Sequence, residues 1–172
     1  MQASQGMIYI FTGEGKGKTS AALGTAIRAA SAGLKVAIIQ WYKSKAWGIS
    51  EHEINHPNIA IFPMGAGFFF KDKGADPKPH RQAAQAALQK AETIMKSVDV
   101  LILDEINNAI HDELITVDEI KTVLQQRNST HCILTGRYAD PKLVDLADLV
   151  TEMKPIKHPY DQGKQAIKGL DY

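Results

Sequence analysis

The chain has 172 residues, enough for one domain with a sizeable core and too few for two ordinary ones. Its composition, 44% hydrophobic and 23% charged, is that of a globular protein, and a net charge of +1 excludes a global field that would draw nucleic acid or an anionic membrane. No apolar run reaches the ~20 residues of a membrane span, and residues 1–6 are polar with no apolar signal core. We therefore expect a cytoplasmic protein with one domain over residues 1–172, a flexible lead-in at 1–6, and neither nucleic acid nor membrane as a partner.

Residues 7–11 form a short apolar run. A glycine-rich segment follows, and then the alanine-rich stretch 19–32, whose helical pattern stops at Gly33, a good helix terminator. Further apolar runs lie at 36–41, 59–62, 98–103, 132–134 and 149–153. Each has strand length without strict alternation, as strands buried on both faces do. Residues 79–96 read as a second alanine-rich helix, and Thr116-Val117-Asp118-Glu119 is a capping box opening a helix to about 127. The lone cysteine, Cys132, lies within an apolar run and reads as a small core residue. Asp140-Pro141 supplies an N-cap and first-turn proline for a helix through 147.

This alternation predicts an α/β fold, a parallel sheet with helices on both faces. Ligands in such sheets bind beyond the carboxyl ends of the strands. Segments 42–57 and 64–79 break the alternation; each follows a predicted strand and so overhangs that edge. The second carries Gly65, Gly67 and Gly74 beside the phenylalanines Phe68, Phe69 and Phe70. Long loops at a ligand edge are usually functional.

Thr12-Gly13-Glu14-Gly15-Lys16-Gly17-Lys18-Thr19-Ser20 lies between a predicted strand and a helix, the context of a phosphate loop. Its glycines let the backbone turn N–H groups inward, and the helix adds its positive dipole end. Lys18 supplies a charge for phosphate oxygens, and the Thr19 hydroxyl can ligate Mg2+. Thr12 departs from the usual pattern, which has glycine there. Val100-Leu101-Ile102-Leu103 delivers Asp104 and Glu105 to the same edge, where acids hold magnesium directly or through water. Arg137, after Thr135-Gly136 at another strand end, reads as an anion ligand. Arg28, ten residues after Lys18, reads equally as an anion ligand or a solvated charge. The histidines show no metal-ligand spacing with cysteine, so no zinc site is expected.

Taken together these residues resemble the ATP:corrinoid adenosyltransferases of the phosphate-loop type. The likeness runs from Met7 to Tyr172 and rests on Thr-Gly-x-Gly-Lys-Gly-Lys-Thr at 12–19, Leu103-Asp104-Glu105, Thr135-Gly136-Arg137 and Met64-Gly65-Ala66-Gly67-Phe68-Phe69-Phe70. It extends to the tail, Lys157-His158-x-Tyr160-x-x-Gly163 and Gly169-Leu170-Asp171-Tyr172. It implies a recombinase-like phosphate-loop fold, usually a homodimer, that moves the 5′-deoxyadenosyl group of ATP to the cobalt of a reduced corrinoid and releases triphosphate. By position, Gly13 to Ser20, Arg28 and Arg137 would hold the triphosphate. Thr19 and Glu105 would lie near magnesium, with Asp104 in support. Phe68 and Phe70 would pack against the corrinoid's lower face. Phe69 alternates to the other side of the loop and reads as core, and His158 reads equally as a contact to ribose or phosphate or as a surface or hydrogen-bonded structural histidine. Lys18, Phe68 and Phe70 are thus the expected catalytic residues, and a reductant protein is a further partner. The second loop aromatic is often tryptophan in that family and is Phe70 here, and Lys71-Asp72-Lys73-Gly74 differs from its common sequence.

Two other readings use the same loop and acids. A small-molecule kinase or ATPase would transfer the γ-phosphoryl group and yield ADP. An ATP-controlled binding module would present the Phe68–Phe70 loop to a protein without turnover.

Overall fold

The computed structural model describes residues 5–44, 50–70 and 74–170. Lys71-Asp72-Lys73, Asp171-Tyr172 and the first four residues of the expected lead-in lie outside these. Strands β1 (Ile8–Thr12), β2 (Val36–Gln40), β3 (Ile59–Pro63), β4 (Val100–Asp104), β5 (His131–Thr135) and β6 (Leu149–Glu152) form one sheet in the order β3-β2-β4-β5-β1-β6. Every pairing is parallel. The expected α/β class is therefore what the chain adopts, and each predicted strand exists within one or two residues of its expected ends.

Alternate strand residues face two separate cores. Val36, Ile38, Val100, Ile102 and Ile133 pack against Ala22, Ala26 and Ala30 of α1 (Lys18–Ser31). Ala37, Ile39, Leu101, Leu103, Cys132 and Leu134 pack on the other face, against α2 (Pro77–Met95) and α4 (Val117–Gln125). Alanines at four-residue spacing put a smooth stripe on α1 and let it lie close to the sheet. Cys132 is fully buried, and burial pushes its thiol up to about 12, so it behaves as core.

Four details depart from expectation. A short helix, α3 (Ile106–His111), follows β4 directly, and its two asparagines and six-residue length gave no helical pattern to read. Helix α2 starts at Pro77, capped by Asp76, whose carboxylate accepts the Lys78 N–H. The lead-in is fixed at Gly6, not flexible there. Its N–H donates to the Asn128 carbonyl at 2.7 Å, its carbonyl accepts from Arg127 Nε at 2.7 Å, and an added Cβ would lie 2.0 Å from the Thr130 oxygen. The helix expected through 147 is α5 (Pro141–Val144), continued by a turn.

The capping box opens α4 as anticipated: Thr116 Oγ1 accepts the Glu119 N–H at 3.3 Å, and Glu119 Oε2 accepts the Thr116 N–H at 2.7 Å. Thr116→Ala is expected to lower unfolding stability by about 1 kcal/mol in urea titration. An unchanged midpoint would show that packing of Ile120, Val123 and Leu124 alone fixes the helix.

Candidate active site

The carboxyl ends of β1, β4 and β5 converge on a cleft of about 370 Å3. Its floor is Glu14, Gly15, Lys16, Lys18 and Thr19 of the loop after β1, with Glu105, Asn108, Thr135, Gly136 and Arg137 beside it. Its far wall is the chain's tail, including His158, Tyr160 and Lys164.

The loop's glycines have steric reasons. Gly13 and Gly17 sit at φ 96° and 116°, the left-handed region that L side chains avoid. A Cβ on Gly13 would lie 2.4 Å from the Met153 oxygen, and one on Gly15 would lie 2.8 Å from it. Chain beyond β6 therefore clamps the loop, with Gly15 N–H donating to the Met153 carbonyl and Met153 N–H to the Thr12 carbonyl, at 2.7 and 2.8 Å. Thr12 has a use that glycine could not serve: its hydroxyl accepts the Ala139 N–H at 3.3 Å.

No side chain caps α1. Its first-turn N–H groups are thus left for an anion, at the positive end of the helix dipole. Lys18 Nζ donates to the Gly13 and Gly15 carbonyls, at 2.7 Å each. Burial, then the Arg137 charge, lower its pKa from the usual lysine value, so its ammonium is short of counter-charge. Arg137 pairs with Glu14 at 2.9 Å, with both side chains about half exposed, a contact worth ~0–1 kcal/mol that an anion can replace.

Asp104 lies buried beneath Thr19. Its Oδ1 accepts from Thr19 Oγ1 at 2.8 Å and Thr135 Oγ1 at 2.7 Å, and its Oδ2 accepts from Gln40 Nε2 and Lys43 Nζ, both at 3.2 Å. Lys43 also pairs with Glu51 at 2.7 Å. Burial opposes the Lys43 charge, but Asp104 and Glu51 outweigh it and hold its pKa above the ordinary value. Glu105 caps α3 in a left-handed conformation at φ 65°, its N–H donating to Thr135 Oγ1 at 2.8 Å. That turn sends Asp104 under the loop and Glu105 into the cleft. Glu105 Oε2 is buried with no hydrogen-bond partner among the described residues. Burial and then repulsion from Asp104 raise the Glu105 carboxyl to about 7.

The structure thus brings together most of the sequence-predicted residues. Glu14, Gly15, Lys16, Lys18, Thr19, Glu105, Arg137 and His158 line the cleft, and Asp104 supports it. Ser20 and Arg28 are exposed and are not among its lining. Arg28 is on the last turn of α1, about 15 Å along the axis from Lys18, so the chain does not bring it to the cleft. His158 uses Nδ1 to accept the Tyr160 N–H at 3.2 Å, capping the 3-10 turn Pro159–Gln162. Phe68 and Phe70 stand outside the cleft, each 53% exposed, with their rings 6.3 Å apart and Phe68 6.3 Å from Tyr42. Phe69 packs on the core and against His80, as its alternation suggested. Residues missed from sequence are Gln40, Lys43, Glu51 and Asn108; the last accepts the Arg137 N–H at 3.0 Å through Oδ1. Apart from the Lys43–Glu51 and Gln40–His52 pairs, their side-chain partners lie 29 or more residues away, and no local pattern signals them.

The profile of the ATP:corrinoid adenosyltransferase BtuR/CobO/CobP family matches residues 4–172. The chain belongs to this family. Its general reaction is ATP-dependent transfer of an adenosyl group to a corrinoid, which makes the chain a transferase. The corrinoid adenosyltransferase of Escherichia coli strain K12 is 35% identical, over 99% of this chain and 88% of that one. Corrinoid adenosyltransferase CobA of Salmonella typhimurium is 33% identical over the same shares. That of Pseudomonas aeruginosa is 32% identical, over 98% of this chain and 84% of its own. Among the described residues no helix is long and apolar enough to cross a membrane.

The Glu105 carboxyl yields a pH prediction. Its folded pKa of about 7 exceeds the ordinary 4.5, so the folded state holds the proton more tightly than the unfolded one. Stability from this group is then present below about 4.5 and lost as pH rises through about 7. Glu105→Gln removes that loss. Urea unfolding at pH 5 and pH 8 should show the variant gaining on wild type by about 2 kcal/mol more at the higher pH. An equal gap at both pH values would refute the burial effect.

Proposed function

We propose that the chain, as a cytoplasmic homodimer with one phosphate-loop domain per subunit, transfers the 5′-deoxyadenosyl group of ATP to Co(I) of a reduced corrinoid and releases triphosphate. The observation that carries this reading is the concentration of triphosphate donors in the cleft: the uncapped α1 terminus, Lys16, Lys18 and Arg137. The lone pair of Co(I) forms the bond to C5′, the C5′–O bond breaks, and its electron pair leaves with the triphosphate. No proton moves, so no general base is required. Charge grows on the leaving group, and donors fixed in advance toward that charge are the apparatus that lowers such a barrier.

Magnesium fits the donors present. The Thr19 hydroxyl and Asp104 carboxylate are 2.8 Å apart, and the buried Glu105 Oε2 lacks a partner. These are hard oxygen ligands. Bound by Thr19 and Glu105 with Asp104 in support, the ion would neutralise charge on the triphosphate. Lys18 and the loop N–H groups hold the phosphates, and His158 meets phosphate or ribose. Phe68 and Phe70 wall the lower face of the corrinoid. An apolar wall in place of an axial ligand favours four-coordinate cobalt, which a reductant protein then takes from Co(II) to Co(I).

The test is anaerobic: Mg-ATP and chemically reduced cobalamin are mixed with the protein, the corrinoid absorbance is followed, and the phosphate product identified. A light-sensitive adenosylated corrinoid with stoichiometric triphosphate is expected. ADP without a spectral change, repeated with incomplete corrinoids, would overturn the reading in favour of phosphoryl transfer. Phe70→Ala should slow the reaction about tenfold more when it starts from Co(II) than from pre-reduced Co(I). Equal losses in both assays would remove the wall's role in ligand displacement.

A further inference from the structure

Lys43 lies just past the end of β2 and touches both sides of the reaction apparatus. Its Nζ is 3.2 Å from Asp104 Oδ2 and 2.7 Å from Glu51 Oε1, with side-chain exposures of 13% for Lys43, 1% for Asp104 and 14% for Glu51. Asp104 in turn accepts from Thr19 of the phosphate loop at 2.8 Å. On the other side, the Lys43 carbonyl accepts the Gly65 N–H at 2.9 Å, at the root of the loop carrying Phe68 and Phe70. The approach is close: a Cβ on Gly65 would lie 2.3 Å from the Tyr42 carbonyl carbon. The neighbouring Tyr42 ring meets Phe68, and its hydroxyl bonds to Asp112.

We propose that Lys43 is a positioning residue that couples the phosphate loop to the aromatic loop, through the continuous path Thr19–Asp104–Lys43–Gly65. This rests on the reading of the aromatic loop as the corrinoid-facing element. Nucleotide in the loop fixes Thr19 and with it the Asp104 carboxylate. The Lys43 ammonium, bound to a buried acid on one side and Glu51 on the other, passes that position to its own backbone. Gly65 follows, because a backbone hydrogen bond and steric contact leave it little room to move independently. A largely buried cation clasped by two carboxylates has far fewer positions than an exposed lysine, which makes it suited to carrying a displacement. Coupling of this kind is reciprocal: whatever Mg-ATP does to corrinoid affinity, the corrinoid does to Mg-ATP.

The test measures cob(II)alamin affinity anaerobically, with and without saturating Mg-ATP and with no reductant, in wild type, Lys43→Met and Lys43→Arg. Wild type should bind cob(II)alamin about fivefold or more tighter when Mg-ATP is present. Lys43→Met should bring that ratio to within about twofold of one, and Lys43→Arg should restore most of it, since a purely steric filler would not distinguish the two variants. A wild-type ratio of one, or an unchanged ratio in a folded Lys43→Met, would overturn the inference while leaving the adenosyl-transfer reading in place. Should Lys43→Met not fold, Glu51→Gln keeps the Lys43–Asp104 contact and removes one of the two carboxylates that hold the Lys43 ammonium in place. A reduced ratio there supports the path, and an unchanged one overturns it. Failure of wild type to bind either cob(II)alamin or cob(II)inamide would remove the corrinoid-facing reading itself, and the inference with it.

Discussion

Asp104 is the constraint on which the site depends. It is a fully buried carboxylate, and such a charge is tolerated only when its lone pairs are matched by donors. The donors come from separate parts of the chain: Gln40 at the end of β2, Lys43 beyond it, Thr19 at the start of α1 and Thr135 at the end of β5. Satisfying one acid therefore sets the relative positions of two strand ends, the phosphate loop and a long overhanging segment. Gln40 is itself tied outward, its Oε1 lying 3.0 Å from His52 Nε2. The acid orders the ligand edge much as a core residue orders a core.

Strand order explains how the phosphate loop is held from the opposite side. Because β1 lies between β5 and β6, the loop leaving β1 has a neighbour on each flank. On the β5 flank, Thr12 meets Ala139. On the β6 flank, Met153 exchanges hydrogen bonds with Thr12 and Gly15. The approach there is so close that side chains at Gly13 and Gly15 would collide with backbone. These glycines thus serve tertiary packing as well as phosphate access. The tail returns over the same loop, where Lys16 Nζ donates to the Leu170 carbonyl at 2.5 Å.

How much of this was legible follows from the range over which each signal acts. Strands buried on both faces write themselves as continuous apolar runs, so the sheet could be read strand by strand to within a residue or two, and the capping box at Thr116 directly. The phosphate loop was legible because its strand, glycines and helix are contiguous. Spacing alone left Arg28 between an anion ligand and a solvated charge, and ten residues along a helix carry its side chain nearly three turns from Lys18. Helix α3 was invisible because asparagines are poor helix formers. In the fold, Asn108 holds Arg137, a partner 29 residues distant. Lys43 carries no local signal, since nothing near it in sequence announces an acid 61 residues away. Gly6 was misread for the same reason, its partners being the loop that precedes β5.

The phosphate loop and its acids are shared by many reactions, so they leave open which bond of ATP is used. What bears on that choice is the charge state and shape around them. Glu105 is held largely by burial near neutrality, with an unpartnered oxygen, where an incoming cation would draw it to the ionised form. An acid poised in this way suits a cation, and the proposed transfer, in which no proton moves, asks no acid–base role of it. The second substrate has to meet ATP from the side where the chain offers apolar surface. The aromatic loop after β3 offers it, with Phe68 and Phe70 half exposed and Phe69 turned inward as an anchor. Under the proposed reading, these rings, on a loop rooted by Gly65 against Tyr42 and Lys43, would be a platform for a large flat ligand rather than a lid over phosphates. On the proposed reading, a planar partner attacks at the nucleoside end of ATP, and the triphosphate is held as leaving group.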